Sequence, residues 1–178
     1  TEGGTLLIGI DDDKTIRGLK FASEDEFALD QAFKKHCFPE LVYNLEKITL
    51  ESEREILVYT IPKSNQMHRV IEDLEEPESS GTAYVRVSDM SVKASREMRE
   101  ILKGRVRDRD VRFKYGDKEN ILMKYLEAHN HITVDEFCQM AKIPRRIASR
   151  TLVLLVLAKV LEIEPQPQYA DAFVRYEE

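Results

Sequence analysis

The 178-residue chain has no tryptophan, only two cysteines and no long apolar run, and each absence narrows the possibilities. Cys37 and Cys138 lie in different halves without metal-ligand spacing. This excludes a disulfide scaffold and a cysteine-rich zinc site as organising principles and fits two thiols in a reducing compartment. The longest unbroken apolar stretch, Leu152 to Ala158, is far short of the roughly 20 residues that a membrane span needs. No signal-peptide pattern is visible. The expectation is a soluble cytoplasmic protein with no membrane partner, long enough to bury roughly 70% of the surface its unfolded form exposes. Neither a P-loop nor a dinucleotide fingerprint is present, so Gly3-Gly4 ahead of an apolar strand is a weak signal for a phosphate, and no cofactor is expected. His129 and His131 have no third ligand beside them in sequence, so a zinc site is not expected there either.

Positive charge is also in short supply, with 27 Lys and Arg against 33 Asp and Glu and a net charge of −6. An average of that sign argues against a polyanionic partner, but the distribution reverses the argument. Residues 1–90 carry 10 basic and 19 acidic side chains, residues 91–161 carry 16 and 9, and residues 162–178 carry 1 and 5. A basic middle segment between two acidic ones is the asymmetry of a localised polyanion site. Within it, K-G-R-V-R-D-R-D-V-R-F-K at 103–114 holds Arg105, Arg107, Arg109 and Arg112, and Lys142, Arg145, Arg146 and Arg150 form a second cluster.

Local patterns predict an α+β protein. Residues 5–10 (T-L-L-I-G-I) read as a buried central strand, followed by an Asp11-Asp12-Asp13 turn and a short return strand at 14–18. Ser23 and Glu26 have capping-box spacing and predict a helix over 24–36, closed by Pro39. Residues 44–51 and 55–61 predict an antiparallel hairpin, 72–80 an acidic mobile surface loop, and 82–87 a strand. Met98, Ile101 and Leu102 give a helical stripe with Gly104 as its stop.

A helix follows over 118–128, then a shorter one opened by a Thr133/Glu136 capping box, a turn at Lys142-Ile143, and a third helix with Pro144 in its first turn. Ile147, Thr151, Leu154 and Leu155, with Ala148 and Leu152 beside them, make the predicted buried side of that third helix. Residues 160–164 and 172–176 predict a closing β-hairpin. This order resembles a winged helix-turn-helix domain. Arg145, Arg146, Ser149 and Arg150 fall opposite the apolar stripe, near the N-terminal end, where a recognition helix meets base edges and phosphates. Gln166, Gln168 and Tyr169 fall at the wing tip.

The first domain resembles the Schlafen/AlbA-like DNA-binding domain. The resemblance rests on T-E-G-G-T-L-L-I-G-I-D-D-D-K-T-I-R-G-L at 1–19, I-P-K-S with His68 at 61–68, and A-Y-V-R-V-S at 83–88 followed by Ala94-Ser95. It covers about residues 1–103 and implies a mixed-sheet domain over 1–104; with the basic linker over 105–116 and the winged helix over 117–178 read above, the order is similar to that of bacterial transcriptional regulators. Double-stranded DNA is the expected partner, read by the third helix and the linker arginines, with a homodimer as a candidate assembly.

The resemblance also brings in an alternative, a metal-dependent endoribonuclease of Schlafen type. Asp11 matches that family's metal-binding Asp, while its two Glu are expected before Thr1, and a divalent cation belongs only to this alternative. A third reading is a non-catalytic interaction module whose basic helix binds an acidic protein.

Overall fold

The computed structural model describes residues 3–71, 81–106 and 114–177, and its contacts divide the chain into two units, Thr1–Thr82 and Ala83–Glu178. The acidic 72–80 stretch and Arg107, Arg109 and Arg112 lie outside the described residues. The first unit contains β1 (Gly4–Ile8), α1 (Ala22–His36), β2 (Cys37–Phe38), β3 (Asn44–Thr49), β4 (Glu55–Ile61) and β5 (Arg69–Val70). The second contains β6 (Tyr84–Val87), β7 (Met90–Lys93), α2 (Arg96–Val106), α3 (Asp117–Ala128), α4 (Val134–Ala141), α5 (Arg145–Leu157), β8 (Leu161–Glu164) and β9 (Ala172–Arg175). The fold is α+β, as the sequence predicts. All described strand pairs are antiparallel, where a mixed sheet is expected.

In the first unit the expected hairpin forms, β3 on β4, with Leu45 opposite Tyr59. The sheet order β1-β4-β3 makes β4 the central strand. β1, expected to be central and buried, is an edge strand with Leu7 exposed. A continuous apolar run fits the backbone of either position, and strand order is a long-range property that the run does not encode. The core gathers Ala22, Leu57 and Tyr59, with Leu29 and Phe33 of α1 packed on them. The rings of Phe33, Tyr43 and Tyr59 lie 5.3–5.6 Å apart centroid to centroid. Tyr43 donates its hydroxyl to Asp30 at 2.7 Å, and this hydrogen bond to a carboxylate pushes its pKa up to about 12. The Tyr59 hydroxyl is buried without a partner.

Two local expectations fail here. α1 starts at Ala22, so Ser23 is already inside the first turn and makes no cap; Glu26 pairs instead with Lys47 of β3. The return strand reduces to a single bridge between Ile10 and Ile16, held by a turn in which Asp11 N–H donates to the Thr15 carbonyl. The double glycine also has an internal cause. At Gly3, with φ +79°, a Cβ would stand 2.4 Å from the Ile61 carbonyl oxygen, so close approach to the chain's own backbone accounts for it without a phosphate.

In the second unit α2 is capped by Ser95, whose Oγ accepts the Met98 N–H at 3.0 Å. The helix runs through Gly104 rather than stopping there, and a Cβ at 104 would meet Leu157 Cδ1 at 2.5 Å, so glycine lets α5 come close. At the start of α3, buried Glu119 accepts the Gly116 N–H at 2.9 Å and pairs with Lys118 at 2.7 Å. Burial pushes the Glu119 pKa up, but these bonds outweigh it and hold the carboxyl below its ordinary value. The predicted Thr133/Glu136 box caps α4 reciprocally, with Glu136 N–H on Thr133 Oγ1 and Thr133 N–H on the Glu136 carboxylate. Lys142, left-handed at φ 51°, ends α4 and turns the chain to Pro144, the residue preceding α5. β8 and β9 form the expected hairpin, and Ile132 exchanges backbone hydrogen bonds of 3.0 and 2.8 Å with Phe173 of β9. Phe137, Leu152, Leu155 and Phe173 are fully buried around that tie.

Candidate nucleic-acid interface

α5 buries Ala148, Thr151, Leu152, Leu155 and Val156, the i, i+3, i+4, i+7, i+8 stripe of an amphipathic helix. The buried centre therefore lies one residue on from the expected one: Ile147 is exposed and Leu154 half-buried. At about 100° per residue, Arg146 and Arg150 project from the side opposite that stripe, one turn apart, and both are exposed.

The other predicted contacts divide. Arg145 is exposed but ion-paired to Asp135 at the start of α4. Ser149 is half-buried and donates to Glu97 of α2 at 2.6 Å. With Glu97 beside Ser149 near both helix starts and Gly104 beside Leu157 near both ends, α2 runs alongside α5 in the same direction. Ser149, expected to contact DNA, makes an interhelical contact and sits a quarter-turn from buried Ala148, on the α2 side. Lys142 and Gln168 are exposed, as is Arg105 in the last turn of α2.

Sequence reading missed a second basic group. Lys93, Arg96 and Arg99 line an open cleft of about 530 Å³ that also takes in Arg145, Gln168 and Tyr169. The available signal was R-E-M-R at 96–99, since an i, i+3 pair of arginines shares one helix face.

Asp11, the candidate metal ligand, is engaged by Arg17 at 2.8 Å, and Asp13 accepts the Thr15 N–H, which holds its carboxyl below the ordinary value. No three His, Cys, Asp or Glu side chains converge on a metal position among the described residues. His68 closes the I-P-K-S block. Its Nδ1 donates to the Pro39 carbonyl at 2.9 Å, since a carbonyl only accepts, and its Nε2 lies 3.1 Å from the Ser64 hydroxyl oxygen.

Residues 1–95 match the family described as Schlafen, AlbA_2. The chain belongs to the Schlafen, AlbA_2 family. Membership points to nucleic-acid binding. The matched AlbA_2 segment runs past the division at Thr82 and includes the β6–β7 hairpin, which groups with the C-terminal helices; the sequence expectation put the boundary at 104. No curated protein and no solved structure matches the chain. No helix among the described residues is long and apolar enough to cross a membrane.

Proposed function

We propose that this AlbA_2 protein is a DNA-binding transcriptional regulator whose residues 117–178 act on duplex DNA as a winged helix. The observation that carries this is the exposed pair Arg146 and Arg150, one turn apart on α5 and opposite its buried stripe. A short helix–turn–helix leads into α5, and the Ile132–Phe173 tie holds the hairpin, as a wing requires. Lys142 at the turn, Gln168 in the hairpin loop and Arg105 in the last turn of α2 add flanking phosphate contacts. The AlbA_2 segment adds further backbone contacts or a homodimer contact. The alternatives draw less support: Asp11 is held by Arg17, and nothing in the basic helix favours an acidic protein over DNA.

Titration of a fluorescent random-sequence duplex at two salt concentrations tests this. Each phosphate contact contributes about 0.9 to the slope of log K against log salt, so Arg146→Ala with Arg150→Ala lowers the slope by about two. A duplex affinity and slope unchanged in the double variant refute the proposal.

A further inference from the structure

We propose that the cleft between α2 and the β8–β9 loop is a binding site for a single-stranded polynucleotide, with phosphates on Lys93, Arg96 and Arg99 and an unpaired base stacked on Tyr169. The cleft is open, about 530 Å³, and lies wholly within the second unit. One wall is cationic. Among the described residues the side chains of Lys93 and Arg96 are exposed with no hydrogen-bond or ion-pair partner, and the exposed Arg99 side chain makes one hydrogen bond, to the Ser95 carbonyl at 3.3 Å. The fourth cation, Arg145, is neutralised by Asp135. The two carboxylates lining the cleft are occupied or turned inward: Glu97 accepts the Ser149 hydroxyl, while Asp171 accepts the Gln166 N–H with one oxygen and buries the other. Neither carboxylate is neutralised by these neutral donors, so with Arg145 paired to Asp135 the lining keeps three exposed cations against two carboxylates, of which Glu97 is buried.

The β8–β9 loop side of the lining carries Tyr169, 80% exposed and packed against no other ring among the described residues. An exposed tyrosine face beside a run of cations is the arrangement that holds single strands, cations on the backbone and an aromatic face on a base. Duplex bases have both faces covered by their neighbours, so Tyr169 selects for an unpaired base. Arg146 and Arg150 do not line the cleft, so the site stands apart from the pair that carries the duplex proposal, although Gln168 borders both.

The test uses the full chain and three probes of equal length, labelled oligo-dT, oligo-rU and a random duplex, measured by anisotropy at two salt concentrations. Lys93, Arg96, Arg99 and Tyr169 are all exposed, so their variants keep the fold, which circular dichroism checks. Arg96→Ala with Arg99→Ala is expected to lower the single-strand salt slope by about 1.4, at about 0.7 per phosphate. Tyr169→Ala is expected to weaken single-strand binding about 5- to 100-fold, while Tyr169→Phe keeps it, because the ring face and not the hydroxyl does the stacking. Duplex affinity stays unchanged in the Arg96/Arg99 variant. Binding of either single strand with these losses supports the site, and the tighter one names the natural polymer. Single-strand affinity unchanged in both sets of variants, or absent from the wild type, overturns it. Single-strand binding that persists when no duplex binds supports the cleft and sinks the duplex reading alone.

Discussion

Among the described residues, the Thr1–Thr82 unit fully buries five apolar side chains, Ala22, Ile56, Leu57, Tyr59 and Ile71, while the Ala83–Glu178 unit buries eighteen. The charges differ in the same sense: 9 basic and 18 acidic residues in the first, 18 basic and 15 acidic in the second. The AlbA_2 segment thus contributes a thinly cored, acidic unit that leaves Leu7, Phe27 and Val42 exposed. The second unit combines a dense core with the free cations. A rigid scaffold is what a polyanion site needs, because every arginine held in place beforehand loses less freedom on binding. The contrast locates both stability and charge in the C-terminal half.

The largest effect that would sharpen this contrast is Phe137→Ala. It removes a fully buried ring from the second unit and is expected to cost about 3–5 kcal/mol, whereas Leu7→Ala on exposed β1 stays within about 0.5 kcal/mol. Urea titrations of the two variants check the ratio, and equal losses break the comparison. Next, Ser149→Ala leaves the Glu97 carboxylate buried without its 2.6 Å donor and costs about 1–3 kcal/mol, measurable by thermal melting. A Ser149 that served only DNA would leave the melt unchanged. Smaller still is Tyr59→Phe. The hydroxyl it deletes is buried and unpartnered, so stability holds or rises by up to about 1 kcal/mol in the same assay.

The pH dependence differs between the units at the alkaline end, while at the acid end Asp13 of the first unit is lowered as are two glutamates of the second. Glu136 is held below its ordinary value by the Thr133 backbone and hydroxyl bonds, and Glu119 by Lys118 and backbone bonds against its burial. A lowered folded pKa means that their stabilisation of the second unit is present at neutral pH and is lost as the pH falls through those low values. Tyr43 is raised to about 12, so its contribution to the first unit is present below the ordinary tyrosine range and is lost as the pH rises through about 12. Hydrogen exchange followed across an acid and an alkaline series shows which unit loosens at each end.

How legible this was in the sequence depended on range. The Thr133/Glu136 box, the β3–β4 hairpin and the β8–β9 hairpin are set by neighbours a few residues apart, and they appear where the pattern puts them. Ser23 and Glu26 had the same spacing and failed, because α1 began earlier and Lys47 of β3 took Glu26. The exposed positions of Arg146 and Arg150 were legible from helical spacing alone. Ser149 was not, since its partner Glu97 lies 52 residues away on a helix whose apolar stripe gives no hint of what it covers. The Arg96/Arg99 cleft escaped for the same reason: its far wall is a loop some 70 residues on, and only folding brings the two together. Gly104 read as a stop because the close approach of Leu157 that requires it is invisible locally.

The most direct test of the claim that nucleic acid is held by the second unit is a paired neutralisation. Lys34→Ala with Lys35→Ala removes two exposed cations from α1, and Arg146→Ala with Arg150→Ala removes two from α5. Both pairs change the net charge equally, so titration of one duplex at two salt concentrations isolates position from charge. The expected result is a salt slope lowered by about two for the α5 pair and left at the wild-type value for the α1 pair. A loss at Lys34 and Lys35 equal to or greater than that at Arg146 and Arg150 would contradict the account.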